Sequence, residues 1–284
     1  MKVPLWCNRG NTFGVGIITE EGKVLSNSKA TYKPELGKGF IPNELAEHHY
    51  NVCSDVLIES LNNSGVNLED IDAIAFSQGM GIPNSLKVVG AVARYLALKY
   101  RKPLIGVSHS VAHIEIGKIK TSAKDPVIVY LSGGNSQILA YVDGRYRVFG
   151  ETEDIPIGNT LDVLAREMGL PTPGGPEIEK TAKGGNYVEL PYVVKGTDFS
   201  FTGILTAAMK KFKEGISKEA ISYSMQEVCF SMLTEVTERA LAHTGKGEVL
   251  LVGGVAANKR LQEMMKIMCD ERGAEFYVVP HEYS

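Results

Sequence analysis

The first clearly patterned stretch of the chain alternates small and apolar residues from Phe13 to Thr19. This period-2 pattern predicts a half-buried strand. The stretch ends at Glu20-Glu21-Gly22, a combination typical of a turn, and Lys23–Ser28 then predicts the strand that returns beside the first. We therefore expect the amino-terminal part of the chain to form a small antiparallel meander.

Helical and strand periods alternate after this meander. Asn43–Leu61 has the period of an amphipathic helix, with Leu45, Val52, Val56 and Leu57 on one side. A short apolar run, a second helical stretch and a further apolar run follow, at Ile71–Phe76, Ser85–Tyr100 and Leu104–Val107. Alternating helices and short buried strands predict an α/β unit.

The second half of the chain repeats this pattern. Three strands are predicted around glycine-bearing turns, at Val127–Leu131, Ser136–Val142 and Tyr146–Glu151. Later, Glu248–Val252 runs into Gly253-Gly254 and a helical stretch, as Ile71–Phe76 runs into Gly79-Met80-Gly81 and a helical stretch. The second half is longer, and the extra length predicts an insertion rich in Gly and Pro from Gly169 to about Ser217.

Two copies of a meander followed by α/β elements are typical of the duplicated fold of actin, Hsp70 and the sugar kinases. We therefore predict an α/β protein of this ribonuclease H-like class, abbreviated ASKHA. Its two lobes, residues 1–125 and 126–284, are expected to surround a nucleotide cleft. In such a cleft the backbone N–H groups of glycine turns hold the phosphates.

The composition narrows the class of protein. The 284 residues are 44% hydrophobic and 22% charged, which is ordinary for a globular protein. No apolar run approaches the roughly 20 residues of a membrane helix, and the first residues are too short and broken for a secretory signal, so we expect a cytoplasmic protein without membrane contact. The net charge of −3 gives no overall attraction to nucleic acid, so any RNA would meet local basic patches or partner subunits.

Cysteine usage excludes several kinds of site. The four cysteines lie far apart in the sequence, at Cys7, Cys53, Cys229 and Cys269. Without a Cys-x-x-Cys pair, the sequence predicts neither a zinc knuckle nor a thioredoxin-like motif, and it does not predict a disulfide framework.

The sharpest candidate for chemistry is the pair His109 and His113. On a helix, a spacing of four puts both imidazoles on one face, within reach of one metal ion. Tyr130, near the end of the next strand, would add an oxygen ligand, and this donor set suits iron or zinc better than magnesium. An accidental pair of structural histidines is an equally good interpretation of the spacing alone.

Three strand–glycine junctions predict anion binding. Ser132-Gly133-Gly134-Asn135 and Gly253–Asn258 each follow a predicted strand, as does Ser77–Gly81 in the first half. Glycine lets the backbone approach an anion closely, and a helix amino terminus adds N–H donors. Each junction alone also fits an ordinary tight turn, but the three together favour an anion cleft.

Other candidate residues can be explained by an ordinary structural or surface role as well as by ligand binding. Asp162 and Glu179, before and within the segment Pro173–Glu179, would bind ribose hydroxyls or lie on solvated helix faces. For the small basic clusters Lys210–Lys213 and Arg145–Arg147, ordinary solvated surface is the more common interpretation, and contact with a tRNA backbone is the less common one.

Eight short motifs occur in an order that resembles one known family. They are Ala46–His49, Phe76–Gly79, His109–Glu115, Tyr130–Asn135, Gly150–Thr152, Pro173–Glu177, Ser200–Gly203 and Gly253–Asn258. Together they are similar to the signatures of the universal tRNA threonylcarbamoyladenosine-forming family. Its archaeal and eukaryotic members are the catalytic subunit of the KEOPS complex.

The resemblance implies a reaction and partners. The family transfers a threonylcarbamoyl group from threonylcarbamoyl-AMP to N6 of adenosine at position 37 of tRNAs that read ANN codons. The implied partners are tRNA and other KEOPS-type subunits, including a small kinase/ATPase-like protein. Since the histidine pair lacks the Glu of His-Glu-x-x-His, it argues against the peptidase activity behind the family's former name, O-sialoglycoprotein endopeptidase.

The resemblance also implies residue roles. One iron or zinc ion would be held by His109, His113 and Tyr130. The expected contacts of an adenylate-type nucleotide (threonylcarbamoyl-AMP, ATP or AMP) are Tyr130, Leu131, Ser132, Gly133, Gly134, Asp162, Gly175, Glu179 and Asn258.

The sequence departs from the family at both ends. Where the family has an acidic first loop, Leu5–Asn11 contains no carboxylate. Where the family continues into a Cys-x-Asp-Asn-Gly segment and closing helices, this sequence ends at Ser284. We therefore expect a weakened metal site and a first lobe without its closing helices, which would leave Asn43–Leu61 and Ser85–Tyr100 partly uncovered.

Two alternatives follow from these departures. A non-catalytic, truncated scaffold homologue would keep the subunit contacts and lose the metal. A kinase or ATPase of the same fold fits less well, because its first phosphate loop needs an acidic residue to manage magnesium, and Leu5–Asn11 has none.

Overall fold

A computed structural model describes residues 2–8, 11–34, 40–79, 81–280 and 283, with the backbone alone for 2–8. The chain divides into two compact units, Met1–Ala112 and His113–Ser284. The predicted lobe boundary at 125/126 stays a prediction. Within the described residues, no helix is both long and apolar enough to cross a membrane.

The first unit is built on a five-stranded sheet. Its strands are β1 (Lys2–Asn8), β2 (Thr12–Thr19), β3 (Val24–Thr31), β4 (Ile74–Gly79) and β5 (Leu104–Ser108). The order across the sheet is β3-β2-β1-β4-β5, with β1, β2 and β3 antiparallel and β1, β4 and β5 parallel. The predicted first anion loop includes Arg9 and Gly10, which lie outside the described residues.

Two helices cover one face of this sheet, α1 (Pro42–Ser64) and α2 (Pro83–Tyr100). Phe13, Val15 and Ile17 alternate along β2 and pack with the helices in one core. The prediction placed a strand from Ile71, whereas Ile71 follows a short 3-10 helix, Leu68–Asp70, and β4 begins at Ile74.

Several large apolar side chains of the first unit are exposed. They are Tyr50 and Ile58 on α1, Tyr95 and Leu98 on α2, and Leu104 and Ile105 on β5.

The second unit repeats the first sheet. Its strands are β6 (Val127–Leu131), β7 (Ser136–Val142), β8 (Arg145–Glu151), β11 (Glu248–Val252) and β12 (Glu275–Val278), and a separate hairpin holds β9 (Val194–Lys195) and β10 (Asp198–Phe199). The order β12-β11-β6-β7-β8 has the same directions as β5-β4-β1-β2-β3. The predicted duplication is therefore present.

Helix α3 (His109–Lys120) begins in the first unit and ends in the second. The helices described after it are α4 (Ile157–Glu167), α5 (Gly174–Thr181), α6 (Thr202–Lys213), α7 (Lys218–Thr244) and α8 (Lys259–Arg272). In chain order, α7 and α8 correspond to α1 and α2. Between β8 and α7 lie α4, α5, the β9–β10 hairpin and α6, which have no counterpart among the described residues between β3 and α1. The predicted insertion, Gly169 to about Ser217, includes all of these except α4.

The central strand β6 is buried on both faces, as its five apolar residues predict. Val127, Val129 and Leu131 face the large core formed with α4–α8. Ile128 and Tyr130 face the opposite core, which includes Ile114 of α3. The alternation along one strand therefore places the Tyr130 side chain on the α3 side and leaves the carboxyl end of β6 open to the loops.

Candidate functional site

Two glycine-rich loops begin side by side at the carboxyl ends of parallel strands. Val252, the last residue of β11, is paired with Tyr130 near the end of β6. The loops that follow, Ser132–Asn135 and Gly253–Asn258, therefore leave the same edge of the sheet, and we call them together the glycine edge. The carboxyl edge of a parallel sheet is the usual location of ligand sites in α/β proteins.

The first of these loops is a tight turn organised by Ser132. Its backbone N–H donates to the Asn135 carbonyl at 2.7 Å. Its side-chain oxygen accepts from the backbone N–H groups of Gly134 and Asn135, at 3.3 and 3.0 Å. The hydroxyl predicted to contact a ligand therefore also fixes the shape of the turn.

Glycines around this edge fall into two classes. A Cβ on Gly253 would lie 2.2 Å from the Leu131 carbonyl oxygen, and one on Gly158 would lie 2.6 Å from the Ser132 carbonyl oxygen. Packing therefore requires glycine at both positions. A Cβ on Gly133 or Gly134 would meet no atom of the described residues within 4 Å, and neither residue has a positive φ. Both residues are exposed, so the backbone at these two positions is open to close approach by a ligand.

Asp162 holds the amino terminus of α5. Its Oδ1 accepts from the Gly174 N–H at 2.7 Å, and the backbone of Gly175 also bonds to the carboxylate. Burial raises the pKa of Asp162 above its ordinary value, and these two N–H donors oppose that rise. The sequence predicted either a ribose contact or a solvated helix face. The residue is half-buried and its carboxylate caps a helix, and the ribose contact stays a prediction.

Glu179 and Asn258 meet at the amino terminus of α8. Glu179 Oε1 accepts from the Lys259 N–H at 2.8 Å. Asn258 Oδ1 accepts from the Leu261 N–H at 3.1 Å, and Asn258 Nδ2 donates to Gln226 Oε1 at 2.7 Å. Both polar atoms of the Asn258 side chain are therefore already engaged. Within the Gly253–Asn258 loop, the N–H groups of Ala256 and Asn258 donate to the carbonyls of Gly253 and Val255.

The predicted metal ligands lie on α3 and β6. His109 and His113 are one turn apart on α3, as predicted, and both are buried. The ring of His113 lies 5.7 Å from that of Tyr130, centre to centre. Tyr130 is fully buried, and its hydroxyl meets no hydrogen-bond partner within the described residues. Over the same residues, no three His, Cys, Asp or Glu side chains come close enough to hold a metal ion.

The remaining candidates from the sequence are Ser77, the Arg145–Arg147 cluster and the lysines of α6. In the first unit, the described part of the third junction holds Ser77, whose buried hydroxyl has no partner among the described residues. The Arg145–Arg147 cluster is engaged locally, since Tyr146 donates to Glu115 and Arg147 pairs with Asp143 at 2.8 Å. The lysines of α6 point to solvent more freely, and only Lys210 has an ion pair, with Glu214 at 3.9 Å, among the pairs the described residues form.

Sequence reasoning missed two polar residues beside these elements. Asp154 caps α6, accepting from the N–H groups of Phe201 and Thr202 at 2.9 Å each. Burial alone would raise the pKa of Asp154, but these donors outweigh it and the pKa is lowered. Gln226 is the second. Ser222, Ser224 and Glu227 are polar as well, so the sequence around Gln226 does not single it out.

The chain is similar in sequence to known proteins over most of its length. The family model described as TsaD, tRNA N6-adenosine threonylcarbamoyltransferase, matches residues 23–284. A protein of that name from Thermococcus gammatolerans is 55% identical over 274 residues, which are 96% of this chain and 83% of that one. Another from Methanopyrus kandleri is 52% identical, over 95% of this chain and 79% of that one. A Methanocaldococcus jannaschii protein, called a probable bifunctional tRNA threonylcarbamoyladenosine biosynthesis protein, is 55% identical over 95% of this chain and 50% of its own length.

Solved structures confirm the fold class. Thermococcus kodakarensis HypF superposes with a TM-score of 0.65 at 15% identity, over 98% of this chain and 45% of that one. Component A of (R)-2-hydroxyglutaryl-CoA dehydratase from Acidaminococcus fermentans gives a TM-score of 0.62 at 12% identity, over 100% and 93%. Both are ASKHA-fold proteins, so the predicted duplicated actin-like α/β fold is confirmed.

Proposed function

The chain belongs to the tRNA N6-adenosine threonylcarbamoyltransferase family, and from that premise we propose how its second unit binds and uses the donor. The protein is an enzyme of tRNA modification that forms threonylcarbamoyladenosine. The donor we propose is threonylcarbamoyl-AMP, and the acceptor is N6 of adenosine at position 37 in tRNAs that read ANN codons.

We propose that the glycine edge holds the AMP part of the donor. The open space beside Gly133 and Gly134 is the observation that carries this proposal, since neither packing nor backbone conformation accounts for glycine there. The N–H groups of Gly254 and Val255, at the start of the turn in this loop, would bind the phosphate, as helix amino termini bind anions. Free ATP or AMP would occupy the same space.

The carboxylate–helix contacts give the proposed donor site its rigidity. Asp162 holds the Gly174–Gly175 turn, and Glu179 holds the start of α8. Each is proposed to keep one oxygen for these caps and to offer the other to the ribose hydroxyls, which need acceptors. A site whose donors are already fixed does not reorganise when charge develops on the reacting carbonyl.

The transfer itself needs positioning more than covalent catalysis. The N6 amine attacks the carbamoyl carbonyl carbon of a mixed anhydride. As the tetrahedral adduct collapses, the bond to the phosphate oxygen breaks, AMP leaves with that electron pair, and the amine loses one proton. Because AMP is a good leaving group, holding both substrates in line accounts for much of the rate. The N–H groups of the glycine edge would stabilise the leaving phosphate.

The side of β6 that faces α3 is the place where we propose a metal ion. The phenolic oxygen of Tyr130 lacks a hydrogen-bond partner among the described residues, and such a group costs about 1–3 kcal/mol unless something satisfies it. We propose that Tyr130 and His113 hold one iron or zinc ion, together with His109 one turn earlier on α3, as the resemblance implies. When bound, that ion would supply Lewis-acid polarisation of the carbamoyl carbonyl.

We further propose that the enzyme acts with partners. Its net charge of −3 does not attract tRNA over distance, so other subunits of KEOPS type, including a small kinase/ATPase-like protein, would complete the tRNA surface.

A transfer assay tests the proposal. Threonylcarbamoyl-AMP carrying labelled threonine is incubated with the purified chain, the partner subunits and a tRNA with adenosine at position 37. A matched tRNA with guanosine at that position is the control. Label should enter only the first tRNA, and Gly134→Val should abolish it without unfolding the protein. Failure of transfer with all subunits present would contradict the proposed reaction.

A further inference from the structure

The amide of Asn258 has only one orientation that its surroundings allow. The backbone N–H of Leu261 is a donor, so the Asn258 atom 3.1 Å from it must be the acceptor oxygen. The amide nitrogen of Asn258 is then turned towards Gln226, 2.7 Å away. The helix cap thus decides which atom of the Asn258 amide is the oxygen and which is the nitrogen, an assignment that is otherwise ambiguous.

The same logic orients Gln226. Because Asn258 Nδ2 is a donor, the Gln226 atom that meets it must be Oε1, and Gln226 Nε2 lies on the other branch of the amide. The side chain is buried, at 3% exposure. Among the residues that the structure describes, none accepts a hydrogen bond from Nε2, yet this nitrogen is not one of the fully enclosed polar atoms. Gln226 therefore carries a nearly buried donor on the same amide whose oxygen contacts Asn258 of the glycine edge.

A second buried polar group lies on the same face of α7. Ser222 is one turn before Gln226, fully buried, and its hydroxyl has no partner within the described residues. Their neighbours on the helix, Ile221, Met225 and Cys229, are buried apolar residues of the core. A buried amide or hydroxyl without a partner costs about 1–3 kcal/mol, so packing alone disfavours this polar pair.

We propose that Gln226 is a positioning and binding residue of the adenylate site. Its oxygen holds Asn258 so that Asn258 caps α8, and its amide N–H donates to a neutral acceptor of the adenosine moiety, a ring nitrogen or ribose oxygen. The phosphate would instead meet the N–H groups of the glycine edge. This inference rests on the proposed function, because it assumes that an adenylate binds beside Asn258.

Two substitutions separate the two roles of Gln226. Gln226→Met has a similar volume and removes both the acceptor and the donor. Gln226→Glu keeps an acceptor for Asn258 and replaces the donor with an oxygen. Asn63→Leu is the control, since Asn63 lies on α1 of the first unit and its amide donates to Ser28 Oγ, so the change removes an amide of another element.

AMP binding is measured by calorimetry for wild type and the three variants, with circular dichroism as the check on folding. Gln226→Met should bind AMP at least tenfold more weakly, and KM for threonylcarbamoyl-AMP should rise more than kcat falls. Gln226→Glu should also bind weakly at pH 8 and recover as acid protonates the new carboxyl. Asn63→Leu should match wild type in AMP affinity.

The outcomes distinguish this inference from the proposed donor site. If wild type binds AMP and a folded Gln226→Met binds it within twofold, the role of Gln226 is wrong and the donor site stands. If Gln226→Met does not fold, wild-type affinity in Gln226→Glu at every pH overturns the donor role. If wild type binds neither AMP nor ATP, the donor site itself is wrong, and this inference is overturned with it.

Discussion

The Glu179 carboxylate accepts a hydrogen bond of 2.8 Å from the backbone N–H of Lys259. The two residues are far apart in the sequence, and the bond joins α5 to the first residue of α8. Helix amino termini carry unsatisfied N–H groups and partial positive charge, so a carboxylate there is stabilising. The contact fixes the amino terminus of α8, where the proposed phosphate site lies.

Removal of this carboxylate should loosen the donor site. We expect Glu179→Ala to cost about 1 kcal/mol of stability, as lost helix caps do, and to weaken AMP binding about tenfold. Glu179→Gln keeps an acceptor and should stay close to wild type in stability. Calorimetry and thermal unfolding measure both effects. The exposed Glu189→Ala is the control, and AMP affinity within twofold of wild type in Glu179→Ala would contradict the role.

The sequence predicted the strand and the glycine loop of this site, but not the hydrogen bonds that hold its helices. The apolar run Val127–Leu131 and the glycines that follow it predicted a buried strand and an anion loop, because strand period and turn chemistry are local properties. The bond between Glu179 and Lys259 is not local, since it depends on how two helices pack. A sequence therefore indicates that Glu179 is a candidate, but not that one of its oxygens caps α8.

Substituting the glycines beside open space should affect AMP binding, whereas substituting the closely packed glycine should affect stability. Gly133→Ala and Gly134→Ala put a methyl group into open space, so the unfolding free energy should change by less than about 1 kcal/mol while AMP binding falls at least tenfold. Gly158→Ala pushes a methyl group to 2.6 Å from the Ser132 carbonyl oxygen, so it should mainly destabilise the fold. Urea unfolding and calorimetry on the same samples test this. Equal loss of stability in all three variants would show that the first two glycines serve packing.

The first unit should lose stability in mild acid because of His49. Burial, and to a smaller extent the charge of the neighbouring His48, lower the pKa of His49 to about 4. Unfolded histidine titrates near 6.5, so between about pH 6.5 and 4 the unfolded chain binds a proton that the folded chain does not. The unfolding free energy should therefore fall as pH drops through this window, by up to about 3 kcal/mol, and stay level with respect to this group above it.

Urea unfolding at several pH values, followed by a probe of the first unit, measures this dependence. His49→Gln should flatten the curve between about pH 4 and 6.5. The exposed His243→Gln, in the second unit, should leave the curve unchanged. A slope in His49→Gln equal to that of wild type would assign the acid sensitivity to other groups.

The substitution Tyr130→Phe should lower the metal content of the protein without lowering its melting temperature. Its hydroxyl has no hydrogen-bond partner among the described residues, so Tyr130→Phe removes no such bond and should melt at or above the wild-type temperature in metal-free buffer. The same change removes a proposed metal ligand, and iron or zinc content by elemental analysis should fall at least severalfold. The half-exposed Tyr141→Phe is the control. Undiminished metal in Tyr130→Phe would exclude the phenol as a ligand.

The lysines at the end of α6 are the strongest local basic feature of the second unit that the proposed chemistry leaves unused. Lys210 and Lys213 are exposed and Lys211 is partly exposed, and the residues from Phe199 to Lys213 include no acidic side chain. Lysines in the last turn also suit the helix dipole, so stability alone accounts for part of their placement. If tRNA passes this surface, each lysine neutralises a phosphate and releases a counterion.

Replacing Lys210, Lys211 and Lys213 with Gln should therefore weaken tRNA binding and reduce the salt dependence of its affinity. For three lost phosphate contacts, the slope of log K against log salt should fall in magnitude by about 2. Filter binding across a salt series, with the partner subunits present, measures the slope. Substituting Gln for the exposed Lys23, Lys29 and Lys87 of the first unit removes the same charge elsewhere. If both triple variants lower the slope equally, net charge rather than the α6 surface attracts the tRNA, and α6 has no specific role in binding it.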